Sequence, residues 1–359
     1  MRVVMTLLVR DEADIVESQL AFHLAAGVDF VIATDHRSQD GTTDILRRYE
    51  GEGVLRLIRR EEEGFRQAEW VTEMARLAAA EYGADWVIHA DADEFWWPRG
   101  GNLKEVLAAI PPRFGLVFGL WRHFAPRPAD GRHFSERMIY RLSPYGPSTE
   151  PADPFHPQVK VAHRADNSVR VAVGNHDARS LGLVLLRGWY PLEVLHFPLR
   201  SLEQLRSKYG RAAERWRRGV GLVPRHVEAG ARALSEGREE EQWRRLQLDD
   251  AQAEGQREAR RVAVDTRVRD ALRFLAGVSE LPPRPTFPPP LGLPRLRFPG
   301  EDLEASASHA DAASALSVID AQARLERQIA IFEERLARLE GRRWRAGARR
   351  ATALLGRRR

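Results

Sequence analysis

Residues 86–98 read WVIHADADEFWWP, an apolar stretch that runs straight into Asp91, Ala92, Asp93 and Glu94. Side chains two apart along an extended chain point the same way, so Asp91 and Asp93 are expected to converge on one point. Two carboxylates so held repel each other unless a cation lies between them. An all-oxygen donor set selects a hard divalent ion, Mn2+ or Mg2+. Two more polar runs follow apolar stretches in the same manner: Arg10, Asp11 and Glu12 after residues 3–9, and Asp35 to Gly41 after residues 28–34. Acids there could receive ribose hydroxyls or a base N–H, Asp35 at the strand end foremost, while Arg10 would face a phosphate. Asp40-Gly41-Thr42 reads instead as a turn that starts a helix. Lys160, Arg200 and Lys208 are cations able to neutralise a diphosphate. Phe95, Trp96, Trp97 and Trp121 suit the C–H faces of a sugar, and of the adjacent Trp96 and Trp97 one is expected to border the cleft.

These runs must be brought to one edge, and the first hundred residues have the pattern to do it. Residues 3–9, 28–34, 54–58 and 86–90 are short apolar strands, and 13–26, 42–49 and 65–82 are helical stretches between them, with Gly27 suited to a left-handed stop. Strands alternating with helices predict βαβ units and a mostly parallel sheet, whose ligands bind beyond the carboxyl ends of the strands. All three polar runs fall at that edge. Further on, 103–110 reads as a helix and 115–121, 181–186 and 193–197 as strands. Residues 125–177, rich in Pro, His and Arg, read as loops and short strands over a pocket, and 201–277 as charged and helical.

Composition bounds the rest. The chain has 359 residues, 43% hydrophobic and 30% charged, enough for a sizeable core. Cysteine is absent, which excludes disulfides, thiolate metal sites and cysteine nucleophiles. No apolar run approaches the roughly 20 residues that cross a bilayer, and the N-terminus lacks a secretory signal, so a cytoplasmic protein is expected. The net charge of +5 is a property of one end. Residues 341–359 hold eight arginines and no acid, which leaves −3 on the remainder and gives no support to nucleic acid as a partner. That tail, with Trp344, Leu354 and Leu355, suits peripheral contact with an anionic membrane face. Eight prolines in 281–299 predict a semi-rigid linker. Val318, Leu325, Phe332 and Leu339 recur every seven residues, an imperfect coiled coil that would serve homo-oligomerisation or pack on its own domain.

The ordered set LLVRDEADI, ATDHRSQDGTTDIL and HADADEF resembles the nucleotide-binding half of a family 2-type glycosyltransferase with the GT-A fold. It is nearest to the bacterial subgroup whose aspartate motif reads DADEF. Arg66-Gln67 followed by Trp70 resembles that subgroup too. The likeness covers residues 1–120, and 155–215 more loosely. It implies an α/β, GT-A-like Rossmann-type sheet flanked by helices; the Pro-rich linker and the C-terminal helical extension lie outside it. Residues 1–200 would be the catalytic domain, 201–280 a helical region packed on it, 281–299 the linker, and 300–359 the amphipathic helix and tail. It also implies a nucleotide-sugar donor, a UDP-sugar foremost, a carbohydrate or glycoconjugate acceptor, and transfer with inversion in polysaccharide or glycoconjugate assembly.

By position, the resemblance implies that Asp35 contacts base or ribose, that Asp91 lies near ribose and metal, and that Asp93 ligates the metal. Proteins of this fold often add a late histidine ligand; His196 is the first choice and His176 the second, with His156 and His163 read as structural. Glu12 and Lys160 complete the donor-binding set. No clean acidic pair follows the aspartate motif to supply the catalytic base; Asp177 is taken for that role, with Asp153 and Glu193 as alternatives, and Glu94 is expected to orient ligands from behind. Two other classes stay open. A nucleotidyltransferase or metal-dependent phosphohydrolase is opposed by the missing glycine-rich loop, and a non-catalytic scaffold would act through the C-terminal helix.

Overall fold

In the computed structural model, residues 1–143, 155–217 and 225–308 are described. The expected alternation forms as read. Strands β1 (Val3–Val9), β2 (Phe30–His36), β3 (Leu55–Arg60) and β4 (Trp86–Asp91) are joined by helices α1 (Val16–Ala26), α2 (Thr42–Gly51) and α3 (Gln67–Ala80). Gly27 ends α1 at φ 117°, a conformation that favours glycine. Asp40 accepts from the Thr42 N–H and hydroxyl and from the Ala13 N–H, so it serves the turn before α2.

The second half of the sheet comes from β5 (Glu94–Pro98), β6 (Leu116–His123), β8 (Val159–Arg164) and β11 (Leu192–His196). Between and after these lie α4 (Leu103–Ala109), α5 (Phe134–Arg137) and the short strands β7 (Tyr140–Leu142), β9 (Arg170–Val171) and β10 (Ala178–Arg179). Eight strands lie in the order β3-β2-β1-β4-β8-β6-β11-β5, and all but β8 and β5 run the same way. This is the α/β, mostly parallel sheet flanked by helices that was expected.

Two expectations change. Residues 125–177, read as loops and short strands, supply β8 to the middle of the sheet. Residues 181–186 make only an isolated bridge, Leu185 to Leu116, because a turn closed by Ser180 and Leu183 bends the chain and leaves Leu181 in solvent.

One core layer lies between α3 and the sheet, where Val4, Leu8, Ile32, Trp70, Met74, Val87 and Val161 are buried together. On the other face α1 is buried almost throughout and meets α10 (Arg267–Ala276). Helices α6 (Leu202–Arg217), α7 (Arg225–Ser235), α8 (Glu239–Leu246) and α9 (Asp250–Glu258) precede α10, with β12 (Val262–Val264) pairing with β7. Residues 1–307 form one compact unit. The Pro-rich stretch runs along it: the Leu296 N–H donates to the Ala25 carbonyl, the Phe298 N–H to that of Gly101, and the Phe298 ring packs on Trp97. The heptad positions and the arginine tail lie outside the described residues. Among those described, no helix is long and apolar enough to cross a membrane.

Candidate metal and donor site

The chain turns at Ala92 and Asp93 between β4 and β5, so the acidic run is not one extended strand. That turn sends Asp91 and Asp93 to different partners. Asp91 Oδ2 accepts from Lys160 Nζ at 2.6 Å. Asp93 is carried instead towards β11, where its carbonyl accepts the Phe197 N–H at 2.9 Å. The antiparallel β5–β11 register sets Glu94 opposite His196, and the parallel β11–β6 register sets His196 opposite His123. The outcome is a buried group of Asp93, Glu94 and His196 with one donor atom from each, all within 4.8 Å of one another. The convergent pair is therefore Asp93 with Glu94. Asp91, expected as a ligand, stands outside the group, and Glu94, expected behind it, belongs to it.

Charge in this group is closely balanced. Lys160 is 1% exposed and bridges Asp91 and Glu94, at 2.6 and 2.9 Å. Burial opposes its charge, yet the two carboxylates outweigh that and hold its pKa above the usual lysine range. Glu94 is fully buried and takes three donors: Lys160, the Asp91 N–H at 3.0 Å and Trp121 Nε1 at 2.9 Å. Burial still pushes its pKa up to about 8 against the pull of Lys160, with Asp91 and Asp93 adding to the rise. Burial works the same way on Asp93, but there Lys208 and His196 prevail and hold it well below the usual carboxylate range.

The histidines explain what the group lacks. His123 Nε2 lies 3.1 Å from the His156 carbonyl, which can only accept, so that nitrogen carries a proton. Burial pushes His123 down to about 3, so that ring is neutral; burial lowers His196 as well, with Asp93 beside it working the other way. His123 Nδ1 must then accept from His196 Nδ1 across 2.9 Å. This arrangement, assigned from its partners, commits His196 Nδ1 to His123 and leaves Nε2, 3.5 Å from Asp93 Oδ2, as the nitrogen that can ligate. His196 Nε2 and the Asp93 carboxylate thus meet at one buried spot, and Trp121, stacked on His196 at 4.4 Å, fixes the imidazole plane. An imidazole nitrogen with two carboxylates on a buried, shaped edge is a donor set for a divalent metal, so the residues present fit such an ion.

The other expected residues are placed as follows. Glu12 is bound to Arg200, and burial raises its pKa to about 7 against that partner. Arg200, 1% exposed, also holds Asp14 at 2.7 Å, so it clamps the loop after β1 and is not free for a diphosphate. Arg10 is half-buried, 3.6 Å from Asp11. Asp35 is fully buried: it accepts the Ser38 N–H and the Thr43 hydroxyl and has Arg59 at 3.7 Å, so it holds the β2–α2 turn where base or ribose contact was expected. Asp177, taken as the base, pairs with Arg179 in the β9–β10 hairpin at 2.8 Å. Glu193 is held by Arg122 and Arg267, at 2.7 and 2.8 Å, and Asp153 lies outside the described residues. His176 Nδ1 is committed to the Val159 carbonyl at 2.6 Å. Trp96 and Trp97 are both buried, since each face of the sheet is covered: Trp97 lies against Phe22 and Phe298, and Trp96 fits where Gly119 has no side chain.

His123 went unread in the sequence. Both β6 and β11 end in histidine, but only their pairing in the sheet, which no local pattern announces, sets the two side by side. Residues 5–113 match the family model for glycosyltransferase family 92. The match runs from within β1 to just past α4 and includes the acidic turn, so this part of the chain is similar to a glycosyltransferase family, as the resemblance implied, although the model is that of family 92. No curated protein matches the chain. Among solved structures, S. aureus TarS 1–349 is 14% identical over 64% of this chain and 69% of its own, with a TM-score of 0.33. The mannosyltransferase PcManGT from Pyrobaculum calidifontis, in complex with GDP-Man and Mn2+, is 21% identical over 45% and 44%, TM-score 0.26. Glucosyl-3-phosphoglycerate synthase from Mycobacterium tuberculosis, with Mn2+, UDP and phosphoglyceric acid, is 18% identical over 36% and 44%, TM-score 0.23. Scores this low carry no weight for function.

Proposed function

We propose that the chain is a metal-dependent glycosyltransferase that moves a sugar from a nucleotide-sugar donor to a hydroxyl acceptor. The observation that carries this reading is the facing pair of His196 Nε2 and Asp93 Oδ2, an arrangement that calls for a cation at the carboxyl edge of an α/β sheet. Asp93, Glu94 and His196 would hold Mn2+ or Mg2+. When bound, such an ion stabilises the charge that develops on a departing diphosphate. Lys160 keeps the acidic turn in place before the ion arrives, and His123 and Trp121 fix the ligating imidazole. Asp91, about a third exposed beside the group, remains available to a ribose hydroxyl, and Arg10 to a phosphate.

A UDP-sugar donor, inversion at the anomeric carbon and a role in polysaccharide or glycoconjugate assembly belong to the same reading. They rest on the family 2-type resemblance, as does the division into a catalytic domain over residues 1–200 and a helical region packed on it. Homo-oligomerisation and membrane contact through residues 300–359 rest on the heptads and arginines of the sequence.

The test is release of nucleoside diphosphate from a panel of UDP- and GDP-sugars with Mn2+ present. At least one donor should turn over, and Asp93→Ala should abolish the turnover. Inert donors throughout, together with no nucleotide binding in the presence of metal, would reject the proposal.

A further inference from the structure

Two lysines reach the acidic group, and they are held in opposite ways. Lys160 enters from a central strand, is 1% exposed, and is fixed by two carboxylates at 2.6 and 2.9 Å. Lys208 enters from α6, is 39% exposed, and has only long contacts: Asp93 Oδ2 at 3.5 Å and the Pro198 carbonyl at 3.2 Å. A lysine with its stem on a helix and its head near solvent swings out at little cost. Asp93 Oδ2 is the same oxygen that faces His196 Nε2, also at 3.5 Å. One loosely held ammonium thus supplies positive charge to the carboxylate that a divalent ion would use.

Arg211, three residues further along and so on the same side of the helix, reaches Asp11 in the loop after β1 at 3.1 Å. α6 therefore presents two cations to the carboxyl edge of the sheet. Its start is fixed, because the buried Arg200 clamps Glu12 and Asp14, and Ser201 Oγ accepts the Gln204 N–H at 3.1 Å. The helix is anchored at its base while the side chain two turns on is free to exchange partners.

We propose that Lys208 is a resident counter-ion of Asp93 that a divalent cation displaces, and that the released ammonium then pairs with the donor diphosphate. This rests on the metal site of the proposed function. Before metal binds, Lys208 offsets the repulsion between Asp93 and its neighbours. Once metal binds, a second cation beside it is unfavourable, and the anionic diphosphate becomes the better partner.

The experiment measures Mn2+ binding to the full-length protein by electron paramagnetic resonance of the free ion, with and without UDP. Losing one partly exposed ion pair that competes with the metal should tighten Mn2+ binding to Lys208→Met about fivefold in the absence of nucleotide. Lys208→Arg should bind Mn2+ as the unaltered protein does. UDP affinity at saturating Mn2+ should fall in Lys208→Met. Lys208→Gln provides the same loss of charge should the methionine variant fail to fold. Equal or weaker Mn2+ binding by the neutral variants overturns the role of Lys208 and leaves the metal site standing. No Mn2+ binding to either protein, even with UDP, overturns the site itself.

Discussion

Replacing Lys160 by methionine tests the arrangement where it is most tightly coupled. The change keeps most of the buried stem and removes the charge that Asp91 and Glu94 share, at 2.6 and 2.9 Å. Breaking a buried ion pair by deleting one partner costs roughly 3–5 kcal/mol, a large share of the about 5–15 kcal/mol that keeps a protein folded. The loss should depend on pH in a definite direction. Glu94 has a folded-state pKa raised to about 8 from its ordinary 4.5, so its contribution to stability is present at low pH and lost as pH rises through 8. Without Lys160 the rise is larger, so at pH 6 Glu94 is protonated and the cost is moderated, whereas at pH 8.5 the full cost applies. Urea unfolding of the metal-free protein, followed by tryptophan fluorescence at both pH values, measures this. The double change Lys160→Met with Glu94→Gln should recover part of the loss. A loss below about 1 kcal/mol, or one identical at the two pH values, would refute the claim that this lysine is the buried counter-charge of the acidic turn.

His123→Phe preserves a ring but removes the acceptor that orients His196, so Mn2+ affinity should fall roughly 10- to 100-fold with a much smaller change in unfolding midpoint. Calorimetry giving unchanged affinity would show that the tautomer chain does not matter. For the unaltered, metal-free protein, stability should decline between pH 6.5 and 8 as Glu12 and Glu94 ionise through about 7 and 8, both raised chiefly by burial. The buried histidines, whose pKa values are lowered, lose stability only below 6.5 and do not contribute in that window. Added Mn2+ should flatten the decline, and a midpoint that climbs across this range without metal would contradict the raised values.

The alternating half of the molecule was legible because its strands are continuous apolar runs and its helices keep a helical period; β1 is buried at every position. The position of the acidic run, beyond the end of β4, was legible for the same reason. Its geometry was not. Equating a two-residue spacing with a shared direction holds for an extended chain, and this one turns at Ala92. Strand β8 escaped notice because Lys160 and His163 make a central strand look polar. A buried lysine is tolerated there only because its counter-charges come from β4 and β5, far away in sequence. His196 could be read as a candidate from its place at a strand end, whereas His123 needed the β6–β11 pairing, a long-range fact that no local pattern contains.

The way residues 281–301 lie on the sheet and its helices bears on how a shorter protein should be cut. Phe298 caps Trp97 and Phe22, and Glu301 accepts from Trp189 Nε1 at 3.0 Å and binds Arg99 at 2.5 Å. A chain ended near residue 280, where the composition changes, would strip that cover and bare two large aromatic rings beneath it. A stop codon meant to remove the heptads and basic tail therefore belongs beyond Glu301, with the proline-rich strap left on as part of the fold.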